Sequence, residues 1–301
     1  MVKRKILITG SNGQLGRALV RFYSPSCDVV GVGVKDCDIQ DYSAVRSCLR
    51  SVQPHVVMHT AAYTDVDGCE ANEERAMLVN ASGTENVARV CGEVSAKMIY
   101  YSTDYVFDGH KRFPYTETDV PNPQTMYGKS KLEGERRMQS VLDNCIILRV
   151  AWMYGIDGKN FLKTIVNAGC RQLEQRKQGR RSEPLKVVDD QIGSPTWTDD
   201  VARQTEVVIE NDLTGLFHAT SEGETSRYRL ACDIFDLLSL DVIVEPCRSD
   251  EYPSGAPRPK YSSLENCKLK ETGLNVMRDY LTALREFIER YGEELPTWSA
   301  K

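Results

Sequence analysis

The sequence predicts an α/β protein: a doubly wound parallel sheet followed by a smaller C-terminal α/β lobe. Three observations lead there. Short apolar, β-branched runs alternate with helical stretches through residues 1–150. A glycine triplet falls between the first strand and the first helix. A tyrosine and a lysine four residues apart follow a strand that ends in hydroxyl side chains.

Each element is read from its own residues. Lys5–Thr9 is an apolar run, and residues 15–23 have helical composition. Residues 27–34 are again apolar and β-branched, Tyr42–Val52 reads as a helix, and residues 55–60 as a strand. One long helix is expected over residues 72–91, a strand over 96–102, a helix over 125–141 and a strand over Cys145–Val150. Strands alternating with helices predict βαβ units and hence a parallel sheet covered on both faces. Such sheets keep their ligand sites at the C-terminal ends of the strands.

Beyond Ala151 the pattern loosens. The expected division is a dinucleotide-binding domain over 1–150, with returning segments near 195–215, and a substrate-binding lobe over most of 151–301. Residues 172–186 are strongly basic (Arg176, Lys177, Arg180, Arg181, Lys186). They read as a solvated helix end or loop, with help to a diphosphate as the alternative. Residues 226–240 and 278–291 look amphipathic and helical. Residues 253–259 hold three prolines and a glycine and read as a loop.

Composition removes several classes of function. A chain of 301 residues with a formal net charge of −5 lacks the basic footprint of a general nucleic-acid binder. No apolar stretch approaches the roughly 20 residues that a membrane span needs. With the first residues running directly into a strand, a cytoplasmic protein is expected. Ten scattered cysteines without a C-x-x-C pair read as reduced, mostly buried thiols. The four histidines have no metal-ligand spacing, so no metal is expected.

The segment Thr9-Gly10-Ser11-Asn12-Gly13-Gln14-Leu15-Gly16 spaces its glycines as G-x-x-G-x-x-G. Gly10 permits a tight turn, Gly13 lets backbone approach a pyrophosphate, and Gly16 permits close helix–strand packing. The helix N-terminus then offers free N–H groups to the anion. A glycine-rich turn without a ligand is the competing reading, and placement between strand and helix weighs against it. At the end of the second strand stand Lys35 and Asp36. An acid there binds a ribose hydroxyl and favours NAD(H), whereas a base accommodates a 2′-phosphate. Lys35 comes first, which points to NADP(H), with NAD(H) as the alternative and plain surface charge as the competing reading. Asp38 and Ile39 follow, placed to contact the adenine.

Tyr127 and Lys131 stand one helical turn apart on one face. A nearby ammonium lowers a phenol's pKa toward neutrality and makes it a usable proton donor to a carbonyl oxygen. A lone Y-x-x-x-K is usually structural. Here Ser102 and Thr103 add hydroxyls where a doubly wound sheet keeps its site, with loop capping as their ordinary alternative. The pattern points to hydride transfer to a ketone: Tyr127 gives the proton, Thr103 polarises the carbonyl, and Lys131 holds the nicotinamide ribose.

The motifs T-G-S-N-G-Q-L-G (9–16), H-T-A-A-Y-T-D-V-D-G-C-E (59–70), Y-S-T-D-Y-V-F-D-G (101–109), Y-G-K-S-K-L-E-G-E (127–135), R-V-A-W-M-Y-G (149–155), D-D-Q-I-G-S-P-T (189–196) and R-P-K-Y-S-S-L-E (258–265) run nearly the whole chain. In this order the chain resembles the extended short-chain dehydrogenase/reductases of Rossmann type, and most closely the dTDP-4-dehydrorhamnose reductase family. The resemblance implies a catalytic Thr103, Tyr127 and Lys131. It implies cofactor contacts at Gly10, Asn12, Gly13, Gln14, Leu15, Gly16, Asp38, Ile39, Ala61, Ala62, Thr64 and Asn80. It places Tyr105, Trp152 and Arg258 near the sugar or its diphosphate, with a core role for Trp152 as the alternative. The implied reaction reduces the 4-keto group of a dTDP-6-deoxy sugar to give dTDP-L-rhamnose. A homodimer is left open. The longer, more basic 171–186 region and Tyr261, where a smaller polar residue is expected, depart from the pattern in the substrate lobe.

Two rivals share the fold. The ending, with Arg258-Pro259 and Tyr228 to Cys232, resembles the non-catalytic regulatory β subunit of methionine adenosyltransferase. The intact Thr103, Tyr127 and Lys131 favour an enzyme instead. A 4,6-dehydratase would carry further acid after the strand-end threonine, whereas Asp104 is followed by Tyr105.

Overall fold

The computed structural model describes residues 3–251 and 255–295. Its centre is a six-stranded parallel sheet. The strands are β1 (Lys5–Thr9), β2 (Asp28–Val32), β3 (Val56–His59), β4 (Lys97–Thr103), β5 (Cys145–Val150) and β10 (Gly215–His218), in the order β10-β5-β4-β3-β1-β2. Ile6, Leu7 and Ile8 are all shut off from solvent, which explains why β1 reads as an unbroken apolar run. Successive side chains point to opposite faces. Ile6 and Ile8 pack with Leu19 of α1 (Gln14–Tyr23) and Val201 of α8 (Thr198–Glu210). Leu7 packs on the other face, with Val45 of α2 (Tyr42–Val52), Val87 of α5 (Thr84–Glu93) and Met138 of α6 (Met126–Val141). The strand order turns back at β1, flanked by β2 and β3, and this is where a crevice opens.

The remaining chain builds a second core around Trp197, Phe235 and Phe287. Three helices surround it: α7 (Phe161–Lys177), α9 (Arg227–Leu237) and α11 (Tyr280–Tyr291). Short strand pairs brace it: β6 (Met153–Tyr154) with β9 (Thr196–Trp197), β7 (Leu185–Val188) with β12 (Val244–Cys247), and β8 (Ile192–Gly193) with β11 (Thr225–Ser226). The chain leaves the main sheet after β5 and returns to it with α8 and β10. No helix among the described residues is long and apolar enough to cross a membrane.

The single helix expected over 72–91 is instead a broken series. It runs through α3 (Val66–Ala71), α4 (Glu73–Met77), a π-helical turn over Leu78–Gly83, and α5. Short polar side chains punctuate it. Asp65 accepts from the Gly68 N–H at 3.0 Å and Asn72 from the Arg75 N–H at 3.1 Å, each capping a new start. The basic segment divides as well. Residues up to Lys177 complete α7, where Arg176 pairs with Asp241 at 2.9 Å, and Arg181 faces Glu183 in the exposed loop beyond. Of the proline-rich loop, residues 253 and 254 lie outside the described residues.

Candidate active site

The crevice at the strand ends is a cleft of about 710 Å³. Its floor is the glycine turn. Gly10 adopts φ +67°, and a Cβ there would lie 2.6 Å from the Ala61 nitrogen. A Cβ on Gly16 would lie 2.3 Å from the Gly10 carbonyl oxygen, so only glycine lets α1 approach the turn this closely. Gly13 closes the turn by donating its N–H to the Gly10 carbonyl at 2.9 Å. No side chain caps α1 at Gly13, and Gly13, Gln14, Leu15 and Gly16 all line the cleft. That leaves a positive helix end facing open space, the environment a pyrophosphate requires. The residues present therefore fit a dinucleotide. Asn12, Asp38, Ile39, Ala61, Ala62 and Thr64 also line the cleft.

Two expected cofactor residues stand elsewhere. Strand β2 stops at Val32, and the Gly33 N–H donates to the Asp36 carboxylate at 2.9 Å. That turn leaves Lys35 exposed and outside the cleft wall. Asn80 is fully buried. Its amide oxygen accepts from the Tyr63 N–H at 2.7 Å, and its Nδ2 donates to the Tyr63 carbonyl at 3.0 Å and the Ser130 hydroxyl at 2.9 Å. With its amide already engaged, Asn80 ties the wall loop to α6 and is not part of the cleft wall.

At the opposite end stand the three residues expected to carry the chemistry. Thr125 caps α6 by accepting from the Gly128 N–H at 3.1 Å, and the Glu70 carboxylate holds the Met126 N–H at 2.7 Å. Tyr127 and Lys131, one turn apart, then both reach the cleft. Tyr127 faces Thr103 at the end of β4, and its ring meets Tyr105 edge-on at 5.5 Å. Lys131 donates to the Tyr101 carbonyl at 2.7 Å and lies 4.0 Å from the centre of the Tyr100 ring.

The electrostatics differ from the expectation that Lys131 would pull the Tyr127 pKa down. Burial pushes Tyr127 up, Thr103 opposes it, and Asp104 adds to the rise. Burial also lowers Lys131 to about 7, against the pull of Glu135 one turn further on. The ammonium is directed to the Tyr101 carbonyl, so Tyr127 is held as the neutral phenol. Asp104 was absent from the expected site. Burial raises it to about 6, against Ser262 and Thr103, and its Oδ2 is buried with no hydrogen-bond partner.

Trp152 is half-buried and walls the cleft. It sits at φ +44°, and its Nε1 donates to the Ser262 hydroxyl at 3.1 Å. A left-handed backbone at so bulky a residue is strained, and such strain gathers at functional sites. Arg258 pairs with Asp67 at 2.8 Å and stands outside the cleft wall. Tyr261 packs with Phe107 and Tyr115 and donates its hydroxyl to Glu224, so its departure from the family pattern lies in a small core. Sequence reasoning missed Arg227 and Lys159, which also line the cleft. Neither belongs to a local motif, and only the fold brings them there. Among the described residues, no group of three or more His, Cys, Asp or Glu side chains gathers to hold a metal ion.

A parallel sheet with this glycine turn and a Thr-Tyr-Lys set at its strand ends defines an extended short-chain dehydrogenase/reductase. The chain belongs to the RmlD substrate binding domain family, which matches residues 4–293, and stands among the dTDP-4-dehydrorhamnose reductases. It is 39% identical over 283 residues, 93% of this chain and 95% of the relative, to the dTDP-4-keto-6-deoxy-D-glucose reductase of Streptomyces niveus. The crystal structure of a dTDP-4-dehydrorhamnose reductase from Clostridium acetobutylicum shares 42% identity at a TM-score of 0.90, covering 96% of this chain and 99% of that one. The Bacillus anthracis dTDP-4-dehydrorhamnose reductase, solved in complex with NADP, shares 35% identity at a TM-score of 0.90, covering 96% and 100%.

Proposed function

We propose that the chain reduces the 4-keto group of a dTDP-6-deoxy sugar, dTDP-4-dehydrorhamnose first among them, with NADPH preferred and NADH accepted. The observation that carries this reading is the convergence of Thr103, Tyr127 and Lys131 on the cleft floored by the glycine turn. The reduced nicotinamide, when bound, supplies a hydride. Gly10 to Gly16 would hold its pyrophosphate, and Lys131 its ribose. Thr103 orients the ketone oxygen. Tyr127, kept protonated by burial, gives its proton to that oxygen as negative charge develops there. Lys131, with a pKa near neutrality, is placed to help restore the proton. The names carried by the relatives support the substrate class, and the NADP bound to the Bacillus anthracis enzyme supports the cofactor. Ten free cysteines suit a reducing compartment, which supports a cytoplasmic location.

The direct test follows NADPH and NADH absorbance with purified protein and enzymatically generated dTDP-4-dehydrorhamnose. Substrate-dependent oxidation is expected. Cofactor binding without oxidation of any keto sugar nucleotide would favour a regulatory subunit instead.

Two further results are expected. Lys131 holds its proton below its pKa of about 7 and loses it above. If the ammonium is the form that works, kcat/KM stays level on the acid side and declines as pH rises through that value, because kcat/KM reports the free enzyme. Lys131→Met removes that limb, and a limb that persists assigns it to another group. Lys35→Ala is expected to leave the NADPH-to-NADH preference within about twofold, since an exposed charge outside the cleft is largely screened. A selective loss of NADPH affinity would return Lys35 to the 2′-phosphate.

A further inference from the structure

The second core sends one loop back onto the glycine turn. Residues 155–160 connect β6 to α7 and are tied down in succession. Asp157 pairs with Arg21 of α1 at 2.8 Å, and Arg21 also reaches Asp199 of α8 at 3.2 Å. The Lys163 ammonium donates to the Ile156 carbonyl at 2.6 Å and the Gly158 carbonyl at 3.3 Å. Asn160 caps α7 by accepting from the Lys163 N–H at 3.0 Å. Its Nδ2 donates to the Gly155 carbonyl at 2.8 Å and to the Gln14 side-chain oxygen at 2.9 Å. Gly158 sits at φ +69°, and a Cβ there would lie 3.2 Å from the Gln14 Cβ. The loop thus rests on the first residue of α1.

Lys159 stands between the two residues that touch Gln14, and its own side chain is exposed and lines the cleft. Among the described residues its ammonium makes no ion pair. Its backbone is fixed beside the N-terminus of α1, which no side chain caps. A helix N-terminus is itself positive, so a cation held next to it is unfavourable. The arrangement becomes favourable when an anion takes up both charges.

We propose that Lys159 binds the pyrophosphate of the dinucleotide, so that the second core supplies a cation to an anion already held by the N-terminus of α1. The inference rests on the dinucleotide reading of the cleft. A bound dinucleotide then joins the loop to the sheet, because its phosphates are held from both sides. NADPH and NADH share the pyrophosphate, so Lys159 adds to the affinity of both and does not choose between them.

The test is calorimetric titration of the whole protein with NADPH, NADH and adenosine 2′-monophosphate, which lacks the pyrophosphate. Lys159→Met should weaken both dinucleotides alike by roughly 3- to 10-fold, the share of one charge-assisted contact open to solvent. Adenosine 2′-monophosphate should stay within about twofold, since an exposed charge acts little beyond its own partner. Lys159→Arg should restore most of the affinity, because the charge survives. Added salt should weaken NADPH more steeply in the parent than in Lys159→Met, one screened charge pair having gone. Unchanged dinucleotide affinity, or equal salt slopes, would overturn the inference. So would a loss confined to NADPH, which assigns Lys159 to the 2′-phosphate, or an equal loss of all three ligands, which makes its role structural. Asn160→Ser keeps the α7 cap and removes the bond to Gln14. It should weaken NADPH in the parent and far less in Lys159→Met, whereas additive losses would show that the loop does not place the ammonium. The two readings fail separately. Dinucleotide binding through Lys159 without reduction of any keto sugar nucleotide would sink the reductase and keep this contact. Turnover with an unchanged KM for NADPH in Lys159→Met would do the reverse.

Discussion

Tyr127→Phe is expected to lower kcat by roughly 10²- to 10⁴-fold, the usual share of a positioned general acid. NADPH affinity should stay within about twofold, because the lost hydroxyl faces Thr103 and the reacting oxygen and its removal costs about one neutral hydrogen bond. The ring keeps its place through the edge-on contact with Tyr105. Single-turnover absorbance of bound NADPH separates chemistry from binding. Turnover within tenfold of the parent would assign the proton to another group, and Asp104, raised to about 6 beside Thr103, would be the first to examine.

Glu135→Ala should have the largest effect on stability. Glu135 lies one turn beyond Lys131 and is almost fully buried with Arg149 of β5, the two meeting through contacts of 2.9 and 2.7 Å. It also accepts from the Ser102 hydroxyl on β4. One carboxylate thus joins α6 to two central strands. Removing it leaves the Arg149 charge buried and alone, a loss of about 3–5 kcal/mol. The chemical-denaturation midpoint should fall accordingly at unchanged slope. A shift under about 1 kcal/mol would mean that water reaches Arg149 once the partner is gone. Glu135→Gln is the milder companion. It keeps the shape but no longer favours the Lys131 cation, so the alkaline limb of the pH profile should move to lower pH.

The sheet and the meeting of Thr103, Tyr127 and Lys131 in one cleft were legible because each rests on local chemistry. Glycine spacing reports backbone that must pass close to other backbone. A tyrosine and a lysine four apart on a helix share a face wherever that helix lies. The missed features depend on where distant segments meet. Lys35 was read as a phosphate partner from its place after β2, but a carboxylate at Asp36 turns the chain so that Lys35 points to solvent. Asn80 matched a motif, yet its amide is consumed inside the protein. Arg227 carried no signal in its own neighbourhood, because its meaning comes from Trp152, a residue on another segment. Tyr127 and Lys131 reach one cleft as their spacing predicts, but their electrostatics differ from the expectation, since burial cannot be read from spacing.

The sheet's sixth strand has a consequence for how the molecule is made. β10 pairs with β5 only after most of the intervening chain has built part of the second core. During synthesis β5 is therefore a bare edge, with unpaired amides and carbonyls along Ile146, Ile147 and Leu148, until Gly215–His218 emerges. Exposed apolar edges recruit foreign strands. A product stopped near residue 150 would carry the whole glycine turn and Tyr-Lys pair yet be prone to aggregate, and its solubility would hang on four residues that the ribosome has not yet added.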